Sequence, residues 1–414
     1  MAKSKPTIAI LPFDSMSGDP MHQMFAEGLS DDVGTELGRF NKFDVIDRRT
    51  TQSQLDKGID SMAVGQALDA QFMLQGSVRF AGNRVRVAVQ MTDSQSGKNT
   101  WAERFDHDTE DEFAAQDNLS RTIAGSAAQT MFEHSVQLAL RDNPNASPEE
   151  LTLQGWAAFR QITYPGLLQA RALGNRALEI DKGCIGAWRL LSYTYGFEGN
   201  QQWTDDPLGA MHKGVELAET ALSLNDLSTG NYIVLGSAEL GLGNHERAMS
   251  CAQKALKLNA SDLDARAFMA NALTMAGRPE EALEELKIAS ELNPKSPAWH
   301  GLYYGRAFFL LDRLREAEDS LSGVVSRTPK YPAPRLLLAA VLAQLDRLKE
   351  AREQVAKLLH YSPLVKLGNL SVAMPYKDPE HQAKFEGNLT RAGLGEVAAE
   401  MAQGNGNVIP ITAT

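Results

Sequence analysis

Gly243-Asn-His-Glu-Arg-Ala248 opens a phrase that returns three times, as Gly277-Arg-Pro-Glu-Glu-Ala282, Asp312-Arg-Leu-Arg-Glu-Ala317 and Asp346-Arg-Leu-Lys-Glu-Ala351. The four alanines are 34, 35 and 34 residues apart, and each follows a Gly or Asp turn by five residues. Each block closes with a polar turn: Asn259-Ala260, Asn293-Pro294, Thr328-Pro329 and Ser362-Pro363. A turn in the middle and a turn at the end divide every unit into two helices. A small residue is needed where the two helices of a pair cross, and Gly236, Ala270, Gly305 and Ala339 supply it. The repeated alanine serves where the next pair stacks, and Leu286, Leu321 and Val355 fill the space between units. One pair cannot bury its own apolar face, so neighbours must stack.

These units resemble tetratricopeptide repeats, most clearly over residues 229–363. Two earlier helix endings, Ala177-Leu-Glu-Ile-Asp181 and Ala221-Leu-Ser-Leu-Asn225, are 44 residues apart. The surplus is expected in a longer connection around Gly196 to Asp206. The array then covers 149–363 with about six helical hairpins, the first two degenerate. After it, Tyr376-Lys-Asp-Pro-Glu380 and Phe385 to Leu389 indicate capping helices over 364–402, which shield the apolar face of the last repeat. Residues 403–414 are expected as a frayed, flexible tail.

The first 140 residues have a different rhythm. Thr7 to Leu11 is a short apolar run stopped by Pro12, and Asp14 to Pro20 is a turn-rich loop. Phe25, Leu29, Val33 and Leu37 recur every four residues, giving a helix over 21–39. A strand at 43–46 and short helices near 51–57 and 62–69 follow. Three strands are expected at 72–80, 84–91 and 100–105, joined by turns at Ala81-Gly-Asn83 and Asp93 to Gly97. A helix over 111–132 places Phe113, Leu119, Ile123, Ala127 and Met131 in one stripe. The expected fold is an α/β N-terminal domain with an antiparallel meander over 1–140, followed by an all-α tetratricopeptide-repeat superhelix.

Ile10-Leu-Pro-Phe13, Phe25-Ala-Glu-Gly-Leu-Ser30, Leu74-Gln-Gly-Ser-Val-Arg79, Gly82-Asn-Arg-Val-Arg86 and Trp101-Ala-Glu-Arg-Phe105 resemble the TolB N-terminal-like domain. The version they resemble is the one fused to tetratricopeptide repeats in bacterial class III adenylate cyclases and transcriptional regulators. That resemblance implies a non-catalytic accessory domain, with the cyclase or DNA-binding module ahead of it. Six residues before the first strand leave no room for such a module, so none is expected here.

Among 414 residues, 43% are apolar and 22% charged, which excludes a globally disordered chain. The net charge of -11 disfavours a nucleic-acid surface, which needs clustered Lys and Arg. The stripe of Arg79, Arg84, Arg86 and Arg104 reads as a solvated strand face. Two cysteines, Cys184 and Cys251, are too few for a disulfide framework. No apolar run reaches the length of a membrane span, and no export signal is evident, so the cytoplasm is the expected location.

Phosphate-binding loops, His-Glu-x-x-His and Gly-x-Ser-x-Gly are absent from the sequence. The eight histidines lack metal-ligand spacing. Asp14 and Asp44, near strand ends, suit turn and capping roles better than a cyclase metal pair. No catalytic, metal or cofactor residues are assigned.

Function is therefore expected on the groove side of the array. By the resemblance, Ile233, Ser237, Asp264, Ala267, Asn271, Thr274, Trp299, Leu302, Arg306 and Phe309 face that groove. Asn271, Trp299, Leu302, Arg306 and Phe309 are the candidate contacts for a protein partner or peptide, since aromatic and guanidinium groups dominate interface energetics. The sequence thus reads as a non-catalytic scaffold or regulatory signalling component. One alternative is a role in cyclic-nucleotide signalling as an adenylate cyclase-related protein. A second is a small-ligand sensor using Asp14, Ser17, Gly18 and Asp19. A third, assembly work at the cell envelope, is disfavoured by the missing signal.

Overall fold

The computed structural model describes residues 5–40, 43–109, 111–140, 143, 145–293, 297 and 299–404. Of the tail expected at 403–414, residues 405–414 lie outside the described residues, and 403–404 end a helix. The chain divides into two compact units whose main boundary falls at residue 141.

In the first unit, β1 (Thr7–Ile10), β2 (Asp14–Ser15), β3 (Asp44–Ile46), β4 (Phe72–Ala81), β5 (Arg84–Asp93) and β6 (Asn99–Asp108) form one mixed sheet in the order β3-β1-β4-β5-β6. β1 runs parallel to β3 and β4, and β4, β5 and β6 form the antiparallel meander. Helices α1 (Pro20–Arg39) and α4 (Glu112–Ala139) pack together on the sheet, and α2 (Arg48–Leu55) and α3 (Ser61–Ala67) connect β3 to β4. Ile8, Ile10, Leu29, Val33, Leu37, Phe72, Leu74, Val87 and Ile123 share the core.

Three details correct the expectation. Asp14 and Ser15 are not loop but strand β2, paired with Ser77 and Val78 of β4. Pro12 has no N–H to give the ladder, so pairing with β4 stops after Leu11 and resumes two residues past the proline. Phe113 does not join the buried stripe of α4, which begins at Ala115 instead. It sits in the first helical turn, just after the Asp111 cap, and is fully open to solvent. The helix also continues seven residues beyond the expected end, through the buried Ser135, Val136 and Ala139.

In the second unit the helices are α5 (Pro148–Phe159), α6 (Tyr164–Ile180), α7 (Ile185–Asn200), α8 (Pro207–Leu224), α9 (Thr229–Gly241), α10 (His245–Leu258), α11 (Leu263–Met275), α12 (Pro279–Leu292), α13 (His300–Leu310), α14 (Leu314–Arg327), α15 (Pro332–Gln344) and α16 (Leu348–Tyr361). Consecutive helices pack as pairs, α5 with α6, α7 with α8, α9 with α10, α13 with α14 and α15 with α16. An ion pair between Arg266 and Glu285 (2.6 Å) joins α11 to α12. A 3-10 turn (Leu367–Asn369), α17 (Leu370–Ala373), α18 (Pro379–Arg391) and α19 (Leu394–Gly404) follow.

The repeated turn has a common geometry. Gly243, Gly277, Asp312 and Asp346 all have positive φ, from 56° to 81°. The next residue donates its N–H to a carbonyl five residues back, as from Arg278 to Leu273 (2.9 Å) and from Arg347 to Leu342 (2.9 Å). This left-handed cap ends each first helix and satisfies its last carbonyls. Ala248, Ala282, Ala317 and Ala351 are wholly buried. A methyl group on Gly236 would lie 2.6 Å from the Phe268 ring, and one on Gly305 would lie 2.6 Å from Leu321. The irregular spacing near α7 comes in part from the expected longer connection, which spans residues 201–206 against three residues in the later pairs, and in part from longer helices. Gly196 lies inside α7, and α6, α7 and α8 are themselves longer than the helices of the regular repeats.

Gly277→Ala should lower stability by about 1 kcal/mol, because a Cβ is disfavoured at φ 81°. Gly387→Ala, in open space within α18, should be neutral or raise stability by up to about 1 kcal/mol. Urea midpoints of both variants check this contrast.

Candidate partner-binding face of the helical array

The first helices of the pairs carry the residues singled out in the sequence. Asn271 stands on α11 and Arg306 on α13, and the Arg306 Nη1 donates to Asn271 Oδ1 at 2.6 Å. Trp299 is half-buried just before α13, with ring contacts to His300 (4.2 Å) and Tyr303 (5.7 Å). Leu302 and Phe309, expected on the open face, are instead buried in the core.

Phe309 is hidden by the chain itself. Phe385 of α18 meets it edge to face at 6.2 Å, and the Lys384 ammonium lies 5.1 Å above its ring. Lys377 N–H donates to the Met275 carbonyl at the end of α11 (2.8 Å), and Tyr376 packs on Phe385 (5.9 Å). The C-terminal segment therefore does more than shield the last repeat. Helix α19 takes that role against α16, with Arg352 between Glu396 and Glu400. Helix α18 and residues 374–377 cover the groove side of α11, α13 and α15.

The connection between α7 and α8 closes the array from the other side. Phe197 stacks on Tyr331 at 5.9 Å. Gln201 Oε1 accepts from Ala333 N–H (3.1 Å), and Trp203 Nε1 donates to Ser362 Oγ (2.6 Å). Gln202 bonds both Lys366 N–H (3.1 Å) and Asn369 carbonyl (3.3 Å). Asn200 Nδ2 donates to the Val372 and Ala373 carbonyls. The second pair of helices is thus tied to the sixth and to the segment after it. Trp203 is buried despite lying outside any helix. A tryptophan in an irregular connection was the one sequence signal for this closure.

Between these ties lies an aromatic lining. Tyr193, Phe197, Tyr303 and Tyr331 are each only partly buried, and Trp156 contacts Tyr193 (5.5 Å). Burial pushes the phenols of Tyr193, Tyr303 and Tyr331 above their ordinary range. The nearby Asp264 raises Tyr193 and Tyr303 further, and Arg306 pulls Tyr303 and Tyr331 back. These side chains therefore share one neighbourhood, with Asp264 and Arg306 as its opposite charges.

The N-terminal loop is spent on local bonds. Asp19 caps α1 by accepting from Met21 N–H (2.9 Å). Ser17 Oγ bonds His22 Nδ1 (2.8 Å) and accepts from Asp19 N–H (3.3 Å). Asp14 is an exposed residue of β2, and Gly18 is exposed with open space around it. Cys184 and Cys251 are buried, and burial pushes the Cys251 thiol up to about 11. Among the described residues, no group of three or more His, Cys, Asp or Glu converges on a possible metal position. Also among them, no helix is long and apolar enough to cross a membrane.

Comparison with known proteins places these features in context. Residues 239–303 match the tetratricopeptide repeat family. Residues 3–123 match the second domain of HilA/YgeH-like transcriptional regulators. The chain is 32% identical over 237 residues to the putative adenylate cyclase 3 of Rhizobium meliloti (strain 1021). That match covers 57% of this chain and 40% of the relative. Among solved structures, a thermophilic tetratricopeptide-repeat protein of Thermus thermophilus is 25% identical, with 48% of this chain and 99% of that one covered, at a TM-score of 0.35. TolB from Acinetobacter baumannii is 18% identical, covering 31% of this chain and 28% of that one, at a TM-score of 0.23. The repeat architecture expected from the sequence stands beside a mixed-sheet N-terminal domain.

Two outcomes test the energetics of this face. Trp203→Ala should cost about 3–5 kcal/mol, since it empties a buried ring site and orphans Ser362. Its equilibrium unfolding in urea gives the number. His300 is buried with neither ring nitrogen partnered, and burial lowers its pKa from 6.5 to about 4. The folded state therefore holds it neutral, while the unfolded chain binds a proton below pH 6.5. Its contribution is complete above pH 6.5 and falls by up to about 3 kcal/mol as pH drops through 4. His300→Leu should show a smaller stability loss than the natural protein between about pH 7 and 4.

Proposed function

We propose that this chain is a non-catalytic interaction module whose helical array binds a protein segment along the face lined by Tyr193, Phe197, Trp299, Tyr303 and Tyr331. The observation that carries this reading is that large aromatic side chains remain partly open there although they sit among buried neighbours. Rigid aromatic groups at a concave surface offer much contact area at low entropic cost. The covered end at Phe309 limits the usable surface to the part nearer Trp299 and Tyr303. Within this proposal the sheet domain over 1–140 acts as a sensing or docking element, the array spans 149–363, and the cytoplasm is the working compartment.

A second reading is favoured by the relative named as a putative adenylate cyclase. In it, the chain belongs to cyclic-nucleotide signalling as an accessory or regulatory component. The chain spans 40% of that relative's length, so its activity is a question for experiment.

A photo-crosslinking residue at Tyr303, compared with one at the exposed Leu224, tests the first reading in living cells. Discrete adducts from position 303 alone are the expected result. Equal adducts at both positions, or none at 303, would remove the array face as the working surface. Incubation with ATP and Mg²⁺ or Mn²⁺ tests catalysis, and cyclic AMP above a boiled control would overturn the non-catalytic reading.

A further inference from the structure

The sheet of the first unit ends in a long open edge. Strand β6 (Asn99–Asp108) pairs with β5 on one side, and among the described residues no strand pairs with it on the other. Two bonds fix which of its backbone groups face outward. Ser94 N–H donates to the Gln71 carbonyl (3.0 Å), one step past the Phe72–Asp93 pair, so the even-numbered residues of β5 bond to β4. Thr109 N–H donates to the Asn83 carbonyl (2.8 Å), one step past the Arg84–Asp108 pair, so the odd-numbered residues of β6 bond to β5. Ala102, Arg104 and Asp106 therefore turn their N–H and carbonyl groups to the open edge.

Edges of this length are commonly blunted by proline, by repeated lysine or by a bulge. The bulge here lies at Met91 and Thr92, opposite the first residues of β6, and residues 101–108 hold neither proline nor lysine. Their outer face alternates in sign instead. Ala102, Arg104, Asp106 and Asp108 are exposed, and Asp106 is held by Arg86 of β5 at 2.6 Å. Arg104 stands two residues from Asp106 on the same face. A single-sign edge repels its own copy in every register, whereas an alternating edge attracts it in one.

We infer that β6 pairs antiparallel with β6 of a second copy of this chain, with Phe105 at the two-fold axis, so that one continuous sheet crosses the dimer. An axis normal to the sheet sets a residue against its own copy and its neighbours against each other in mirror order. With Phe105 at the axis, Arg104 opposes the partner's Asp106 and Glu103 opposes the partner's His107. Moving the axis to Glu103, Arg104 or Asp106 sets that charge against its own copy, and moving it to His107 sets Asp106 against the partner's Asp108. Opposite charges directly across a strand pair stabilise it and like charges destabilise it, so the charges select the Phe105 register. Asp106 then lies between its own Arg86 and the partner's Arg104. The outward backbone groups of Ala102, Arg104 and Asp106 supply the hydrogen bonds of the new ladder.

Sedimentation velocity of the full chain tests this, at protein concentrations from about 1 to about 100 μM, the range in which a small interface is partly formed. The natural protein should move from monomer to twice the monomer mass as concentration rises. Arg104→Glu sets like charges across the axis and should remain monomeric throughout. Exchanging both charges, Arg104→Glu with Asp106→Arg, should restore the dimer. Arg104→Pro removes an N–H that the single chain leaves at the open edge, so it should keep the circular dichroism and melting profile of the natural protein and sediment as a monomer. A natural protein that stays monomeric at the highest concentration overturns the inference. So does a dimer that persists in Arg104→Pro, which would place the contact elsewhere. A folded double variant that stays monomeric overturns the Phe105 register and the pairing with it.

Discussion

The close approach of helices at the small-residue positions is the constraint on which the second unit depends. Each pair of helices has an apolar face that its own partner cannot cover. Helices meet only if backbones come near enough: Phe268 of the next pair occupies the space a methyl would need at Gly236, and Leu321 of the same pair does so at Gly305. The left-handed turns at Gly243, Gly277, Asp312 and Asp346 then end the first helix of each pair before the second begins. Glycine meets the turn without cost, and Asp is among the few other residues that tolerate it.

What this stacking leaves open is decided by two segments outside the regular repeat. The α7–α8 connection reaches the sixth pair through Phe197, Gln201 and Trp203. The segment after α16 turns back and lays Tyr376 and Phe385 against the groove side of α11 and α13. The first tie uses side-chain amides and an indole that bond to backbone or hydroxyl groups, and the second uses a backbone N–H from Lys377 to the Met275 carbonyl beside aromatic packing. Polar closures of this kind hold a defined geometry because each buried donor must find its acceptor. Tyr193, Tyr303 and Tyr331 remain only partly buried.

The candidate site was only partly legible in the sequence. Asn271 and Arg306 were singled out separately, and their hydrogen bond unites them. Leu302 and Phe309 were placed on the open face by repeat position, but the covering helix α18 cannot be inferred from that position. Tyr193 and Tyr331 were not singled out in the sequence, and Tyr376 marked only the start of the capping segment. They converge from α7, from the start of α15 and from the C-terminal segment. The N-terminal loop shows the reverse case: its Asp and Ser residues invited a ligand reading, yet they cap and brace α1.

The sequence by itself determined the local grammar of this protein. Apolar periodicity placed the strands and α1, and the recurring Gly or Asp turn with its alanine five residues on placed the paired helices. These features depend on neighbours within a few residues, or on one fixed period, so they are written in order along the chain. Tertiary structure alone decided that Pro12 interrupts but does not end pairing with β4, that Phe113 stays in solvent, and that the groove is closed by Trp203 and covered by α18. The closure of the groove follows from contacts between residues more than a hundred positions apart, such as Trp203 with Ser362 and Asn200 with Ala373. Burial of apolar surface is non-directional, so it favours many such contacts, and only the packed chain selects which of them form.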